Sequence, residues 1–156
     1  LIDDSYGVKL IIIGDGEERA RLKKFMKKLK MDSKIKFLGN LEEPLGYLEN
    51  AEMLVISSLW EGLPRVAIEA QALKTPIVSA CYEGGLGEIL MDGKAGIITR
   101  KNNVDDMKKA MDTYLLNPEL ASTHAEIGHK NLSRFSLDTS AQKYLTKFSN
   151  YFGKYV

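Results

Sequence analysis

Apolar positions along this chain fall into two alternating kinds of run. Val8–Ile13 ("VKLIII") is a short β-branched block closed by Gly14-Asp15-Gly16, the signature of a buried strand ending in a turn. The following "EERARLKKFMKKLK" places Leu22, Phe25, Met26 and Leu29 at helical spacing, with glutamates leading and lysines trailing as the helix dipole favours. The same alternation continues with a strand at "KIKFLG", a short helix over 43–50, a strand at Met53–Ser57 and a helix from about Arg65 to Leu73. Strands at "TPIVSA" and "KAGIIT" follow, then helices near 103–116, 118–132 and 138–152. Strand–helix alternation of this kind predicts an α/β fold: a Rossmann-like parallel sheet with helices on both faces, formed by residues 1–156 as a single domain. Sites in such folds lie beyond the carboxyl ends of the strands. Those ends are Gly14-Asp15-Gly16, Gly39-Asn40-Leu41, Ser57–Pro64, Ala80–Gly87 and Thr99. The last helix carries Tyr144, Leu145, Phe148, Tyr151 and Phe152, with Tyr155 beyond, and is expected to dock on the core; packing on a partner domain is the alternative.

Composition narrows the function classes. With 22 basic and 21 acidic residues the formal net charge is +1, which gives no case for nucleic acid. One cysteine, Cys81, rules out an internal disulfide and fits a reducing, cytoplasmic setting. Two histidines, His124 and His129, are too few for a His-based metal cluster and are expected on helix surfaces without a role. No apolar run reaches the roughly 18 residues of a membrane span. The opening "LIDDSYGVKL" does not read as a secretory signal. The lysine-rich face of 23–30 is a candidate for anionic lipid at the inner face of a membrane, although exposed helix lysines ordinarily serve solvation.

The chemistry concentrates in "SSLWEGLPRVAIEAQALKTPIV". On one helix, Glu61 and Glu69 would lie about 80° apart around the axis and about 12 Å along it. Gly62 and Pro64 instead favour a turn followed by a helix start. Glu61 then hangs on the loop, Glu69 sits in the early turns, and free amides of residues 63–66 form an anion site between them. Carboxylates accept hydrogen bonds from hydroxyls, so the pattern suits a phosphate flanked by two hydroxyl-bearing groups, as in a nucleotide sugar. The alternative is a solvated loop charge at Glu61 and a dipole partner at Glu69.

Several blocks in order carry a family resemblance: G-D-G after a strand, "IKFLGN", A-E before a strand, S-x-x-x-E-G-x-P-x-x-x-x-E-A, "TPIV", and G-G-x-x-E-I. Through about residue 100 the chain resembles the C-terminal, donor-binding domain of retaining GT-B glycosyltransferases of family 4. The resemblance implies that Glu61 is the catalytic-site carboxylate contacting donor sugar hydroxyls and that Glu69 binds the ribose. It implies that the amides of Leu63, Arg65 and Val66, beside Gly62, hold the diphosphate, and that Gly39, Asn40 and Leu41 line the base pocket. Gly14 and Gly16 would be turn glycines at the crevice edge, and Gly84-Gly85 through Glu88 would shape a loop and cap a short helix. Arg65 stands where many relatives carry a small polar residue, and either contacts the diphosphate or projects into solvent. No cofactor or metal is implied; the nucleoside-diphosphate sugar is the substrate.

A dinucleotide-binding domain is a poor rival, because "GDGEER" lacks the third glycine of that fingerprint. A non-catalytic nucleotide-sugar-binding or scaffolding domain of the same fold is the stronger one. The resemblance further implies an N-terminal acceptor domain as partner, and an earlier strand and helix of the donor domain bearing a basic pair. That strand would lie between "KLIIIG" and "MLVIS". Without it, these strands are expected to close up, leave exposed edges, or take a strand from another copy to form a homo-oligomer.

Overall fold

The computed structural model describes residues 7–80 and 83–153, so Cys81, Tyr82 and Tyr155 lie outside the described residues. The chain divides into two compact units, one through Tyr47 and one from Leu48.

In the first unit, β1 (Leu10–Ile13) and β2 (Ile35–Gly39) pair in parallel, flanking α1 (Arg19–Lys28). The register shifts between Ile12 and Ile13, where the strands run into glycines: Gly14 N–H donates to the Gly39 carbonyl at 2.7 Å. Both glycines have positive φ, 120° and 74°. β1 differs from the buried strand its sequence predicts, since Ile11 and Ile13 are exposed. The physical reason is that Ile11 and Ile13 share one face of the strand, and among the described residues of this unit no layer packs over that face.

The second unit holds a three-stranded parallel sheet in the order β3 (Leu54–Ile56), β4 (Ile77–Ser79), β5 (Ile97–Ile98). The short α2 (Leu45–Glu49) spans the division between units. The remaining helices are α3 (Arg65–Ala72), α4 (Gly85–Ile89), α5 (Val104–Leu116), α6 (Pro118–Lys130) and α7 (Leu137–Phe152). Strand pairing is thus divided between two parallel sheets, and among the described residues β1 pairs only with β2 and β3 only with β4.

β4 organises the core. All three of its residues are buried, and successive side chains point to opposite faces. Ile77 packs with Ala67 and Ala70 of α3 and with Leu86 and Ile89 of α4. Val78 packs with Ala110 and Tyr114 of α5 and Ala121 of α6. Helices therefore cover both faces of this sheet, as the alternating sequence predicts. Caps explain where they start: Asn103 accepts from Asp106 N–H, Asn117 from Leu120 N–H and Ser136 from Thr139 N–H.

Two expectations are corrected. The histidines are packed contacts, not idle surface groups. His124 Nδ1 lies 2.9 Å from the Tyr114 hydroxyl, and His129 Nδ1 donates to the Gln71 carbonyl at 3.1 Å. α7 does not dock along the core: none of its residues is buried, and it is exposed throughout from residue 141. Its start is tied down through Thr139 Oγ1 donating to the Ser133 carbonyl in the preceding 3-10 turn, Leu132–Phe135. Its aromatics stack along the helix instead, with Tyr144–Phe148 centroids at 6.4 Å and Phe148–Phe152 at 6.2 Å. Helical spacing aligned these side chains, but alignment requires no neighbour. No helix among the described residues is long and apolar enough to cross a membrane.

Two predictions follow from this packing. A Cβ on Gly128 would sit 2.8 Å from Gln71 Nε2 and 2.9 Å from its Cδ. Gln71 is fully buried and held by its 2.7 Å bond to the Ile89 carbonyl, so it cannot retreat. Gly128→Ala is expected to cost about 1–3 kcal/mol, read by denaturant unfolding. Burial lowers the His124 pKa below the ordinary 6.5. The unfolded chain then takes up this proton at higher pH than the folded one, so stability is lost as pH falls below about 6.5. His124→Gln is expected to flatten that acid-side fall in melting temperature; an unchanged slope would place the titration elsewhere.

Candidate nucleotide-sugar site

The site begins where β3 ends. After Ile56 the chain leaves the sheet through Ser57 and Ser58, exposes Leu59 and Trp60, and turns at Glu61-Gly62 before entering α3. Pro64 is the residue before the helix, extended at φ −70° and ψ 110°, and buried. Proline lacks an N–H, so the amides offered at this end are those of Leu63, Arg65 and Val66. The amides of Arg65 and Val66 have no intrahelical acceptor; the next, Ala67 N–H, donates to the Pro64 carbonyl at 3.1 Å. Glu69 follows in the second turn, half-buried, on a helix anchored from below by Ala67 and Ala70.

This arrangement keeps an anion-attracting helix end beside an acceptor-only carboxylate. Glu61 is half-buried, whereas Gly62, Leu63, Arg65 and Val66 face solvent. Arg65 is 90% exposed at its side chain, with Nη2 3.7 Å from Glu69 Oε1. An exposed pair of that length contributes little, so the guanidinium can swing toward a ligand. The neighbouring strand ends converge on the same edge of the sheet. Ala80 N–H donates to the Ile56 carbonyl at 2.9 Å, and Thr99 N–H to the Ser79 carbonyl at 2.7 Å.

The sequence-predicted residues divide between the units. Glu61, Gly62, Leu63, Arg65, Val66 and Glu69 are brought together in the second unit by one loop and one helix. Gly14 and Gly39-Asn40-Leu41 belong to the first, where Gly14 and Gly39 meet at the carboxyl ends of β1 and β2. Sequence reasoning missed Arg19, whose guanidinium lies against Gly39 and pairs with Asp15 at 2.7 Å. The Asp15/Arg19 spacing of one helical turn was the available signal. Two clefts lie elsewhere, about 530 Å³ along α6 at Glu119, Ser122 and Thr123, and about 260 Å³ near Met53, Pro76 and Tyr114. Met53 and Pro76 precede β3 and β4, so the second cleft is at the amino ends of the strands, away from where such folds bind ligands.

A parallel sheet covered by helices, with a helix start at its carboxyl edge, places the chain in the α/β class. The family described as glycosyl transferases group 1 matches residues 2–131, and the chain belongs to that family. It is 35% identical over 127 residues to an uncharacterised glycosyltransferase of Methanocaldococcus jannaschii, covering 80% of this chain and 36% of that protein. It is 31% identical over 140 residues to the lipopolysaccharide core biosynthesis glycosyltransferase LpsE of Rhizobium meliloti, covering 89% of this chain and 41% of that one. The chain thus spans between a third and a half of the length of these two relatives. Among solved structures, S. aureus TarM superposes with a TM-score of 0.83 at 23% identity, over 92% of this chain and 29% of that one. Anabaena HepE in complex with UDP superposes with a TM-score of 0.81 at 23% identity, over 92% and 41%. These structural neighbours are GT-B glycosyltransferases, and the likeness establishes the α/β fold.

Proposed function

We propose that this chain is the donor-binding half of a retaining, family 4 glycosyltransferase that moves a hexosyl group from a nucleoside-diphosphate sugar to an acceptor. The observation that carries the reading is local. Glu61, the open amides of Leu63, Arg65 and Val66, and Glu69 occupy one loop and one helix start in a glycosyl transferases group 1 domain. Glu61 accepts hydrogen bonds from donor sugar hydroxyls, and Glu69 from the ribose. The helix-end amides donate to the diphosphate, and Arg65 supplies a mobile cation. As the glycosidic bond breaks, charge grows on the leaving diphosphate, and donors already aimed at it stabilise that charge without reorganising. The reading assigns this role to amides and cationic side chains and calls on no metal. Gly39, Asn40 and Leu41 are assigned to the base through their backbone, and Gly14 to the crevice edge.

The names of relatives support the sugar-transfer reading. Solved Anabaena HepE structures hold UDP, UDP-glucose, and UDP with glucose. Relatives include a lipopolysaccharide core glycosyltransferase and a poly(ribitol-phosphate) α-N-acetylglucosaminyltransferase of Staphylococcus aureus. We accordingly place the transfer in cytoplasmic synthesis of cell-envelope polysaccharide or glycolipid, with an N-terminal acceptor domain completing the enzyme. The positioning that makes such a reaction effectively unimolecular needs that domain.

In the two-domain enzyme, Glu61→Gln is expected to lower kcat by about 10²-fold or more, the scale of removing one charged contact at a reacting centre. Glu69→Gln is expected mainly to raise KM for the donor, by about ten- to a hundredfold for one lost charge-assisted bond. Wild-type kinetics in both variants would overturn the site. Tight donor binding without turnover would favour the non-catalytic domain instead.

A further inference from the structure

The loop carrying Glu61 is held by two glycines that follow β4, the strand beside β3. Glu61 forms a parallel bridge with Gly84, and Gly85 N–H donates to the Gly62 carbonyl at 2.5 Å. Gly84 has φ 75° and ψ −150°, a region essentially reserved for glycine. A Cβ there would run into the Glu61 carbonyl oxygen and lie 3.1 Å from its carbon and 3.3 Å from the Gly62 oxygen. A Cβ on Gly85 would collide with the Gly62 carbonyl and sit 2.8 Å from Leu63 Cδ1 and 3.0 Å from Leu63 Cα. Both glycines therefore allow direct backbone approach to the segment that bears the site.

The seat for this contact is rigid. Gly84-Gly85 opens α4, whose Leu86 and Ile89 are fully buried among Ala67 and Ala70 of α3. The other end of α4 is locked by two side chains on its carbonyls. Gln71 Nε2 donates to Ile89 at 2.7 Å, and Arg134 Nη2 donates to Glu88 at 2.5 Å. α3 thus fixes α4, and α4 in turn fixes the loop that leads into α3.

We propose that Gly84 and Gly85 are positioning residues for the donor site: they form a backbone clamp that sets Glu61 against the amides of Leu63, Arg65 and Val66. This rests on the donor reading for its ligand, but its geometry can be tested without one. Trp60 is the only tryptophan and is 69% exposed beside Glu61, so its emission reports the loop directly.

The test compares the wild-type chain with Gly84→Ala, Gly85→Ala and the control Gly46→Ala, whose Cβ would meet open space. Trp60 emission and acrylamide quenching are read first, with far-UV circular dichroism as the check on folding. Each protein is then titrated with UDP and UDP-glucose, GDP and GDP-mannose, and ADP and ADP-glucose. The clamp variants are expected to shift Trp60 emission and to raise Kd at least tenfold for the pair that the wild type binds. They should also lose the preference between nucleotide sugar and bare nucleotide that a seated Glu61 provides. The control keeps all three. A purely structural role would lower melting temperature and leave Kd, measured well below it, unchanged; that result overturns the proposal. Should the clamp variants not fold, hydrogen exchange on the wild type decides. The Gly85 amide is expected to exchange as slowly as those of the buried core, and fast exchange overturns the clamp. If the wild type binds none of the six probes, the donor reading fails, and the clamp is judged on Trp60 and Gly85 alone.

Discussion

Burial of β4 on both faces is the constraint on which the second unit depends. Its three residues have no solvent-facing side, so helices must supply partners above and below at once. Ile77 draws α3 and α4 together and Val78 draws α5 and α6. Removing a large apolar side chain from such a position costs about 2–5 kcal/mol, comparable with a sizeable share of a domain's net stability. The same burial fixes where β3 and β4 end, and therefore where the chain can leave the sheet.

What leaves the sheet is a loop with little to hold it. Ser57, Leu59, Trp60, Gly62 and Leu63 are exposed, and local sequence gives them no regular backbone pairing. Order comes from two neighbours: Pro64, buried at the mouth of α3, and the glycine pair that opens α4, a helix seated on the buried Leu86 and Ile89. An anion site built from main-chain amides needs such support, because an amide aims only as well as its backbone is fixed. The exposed Arg65 guanidinium can adjust, whereas the amides cannot.

Much of this was legible beforehand. The β-branched runs and the 3.6-residue periods predicted the five strands and most helix ends to within a residue or two. Pro64 and Gly62 correctly marked the start of α3. What the sequence did not reveal concerned partners. Periodicity says that β1 is a strand but neither how many strands lie beside it nor which of its faces is covered, so the division into two sheets and the exposure of Ile11 and Ile13 were hidden. It likewise says that α7 has an aromatic stripe, but not that the stripe lies open. His124 and His129 read as surface residues because their partners, Tyr114 and Gln71, sit on other helices. Gly84-Gly85 was visible as a turn; the carbonyls it must approach, at Glu61 and Gly62, belong to a distant part of the chain.

The central claim is that a nucleoside diphosphate sits on the amides at the start of α3. A ¹⁵N–¹H correlation spectrum of the chain, followed during titration with UDP, GDP and ADP in turn, tests it residue by residue. The account predicts saturable shifts for at least one of the three, largest at the amides of Leu63, Arg65 and Val66 and extending to Gly62. Shifts confined to the α6 cleft at Ser122 and Thr123, or none at millimolar concentration of any of the three, would contradict it.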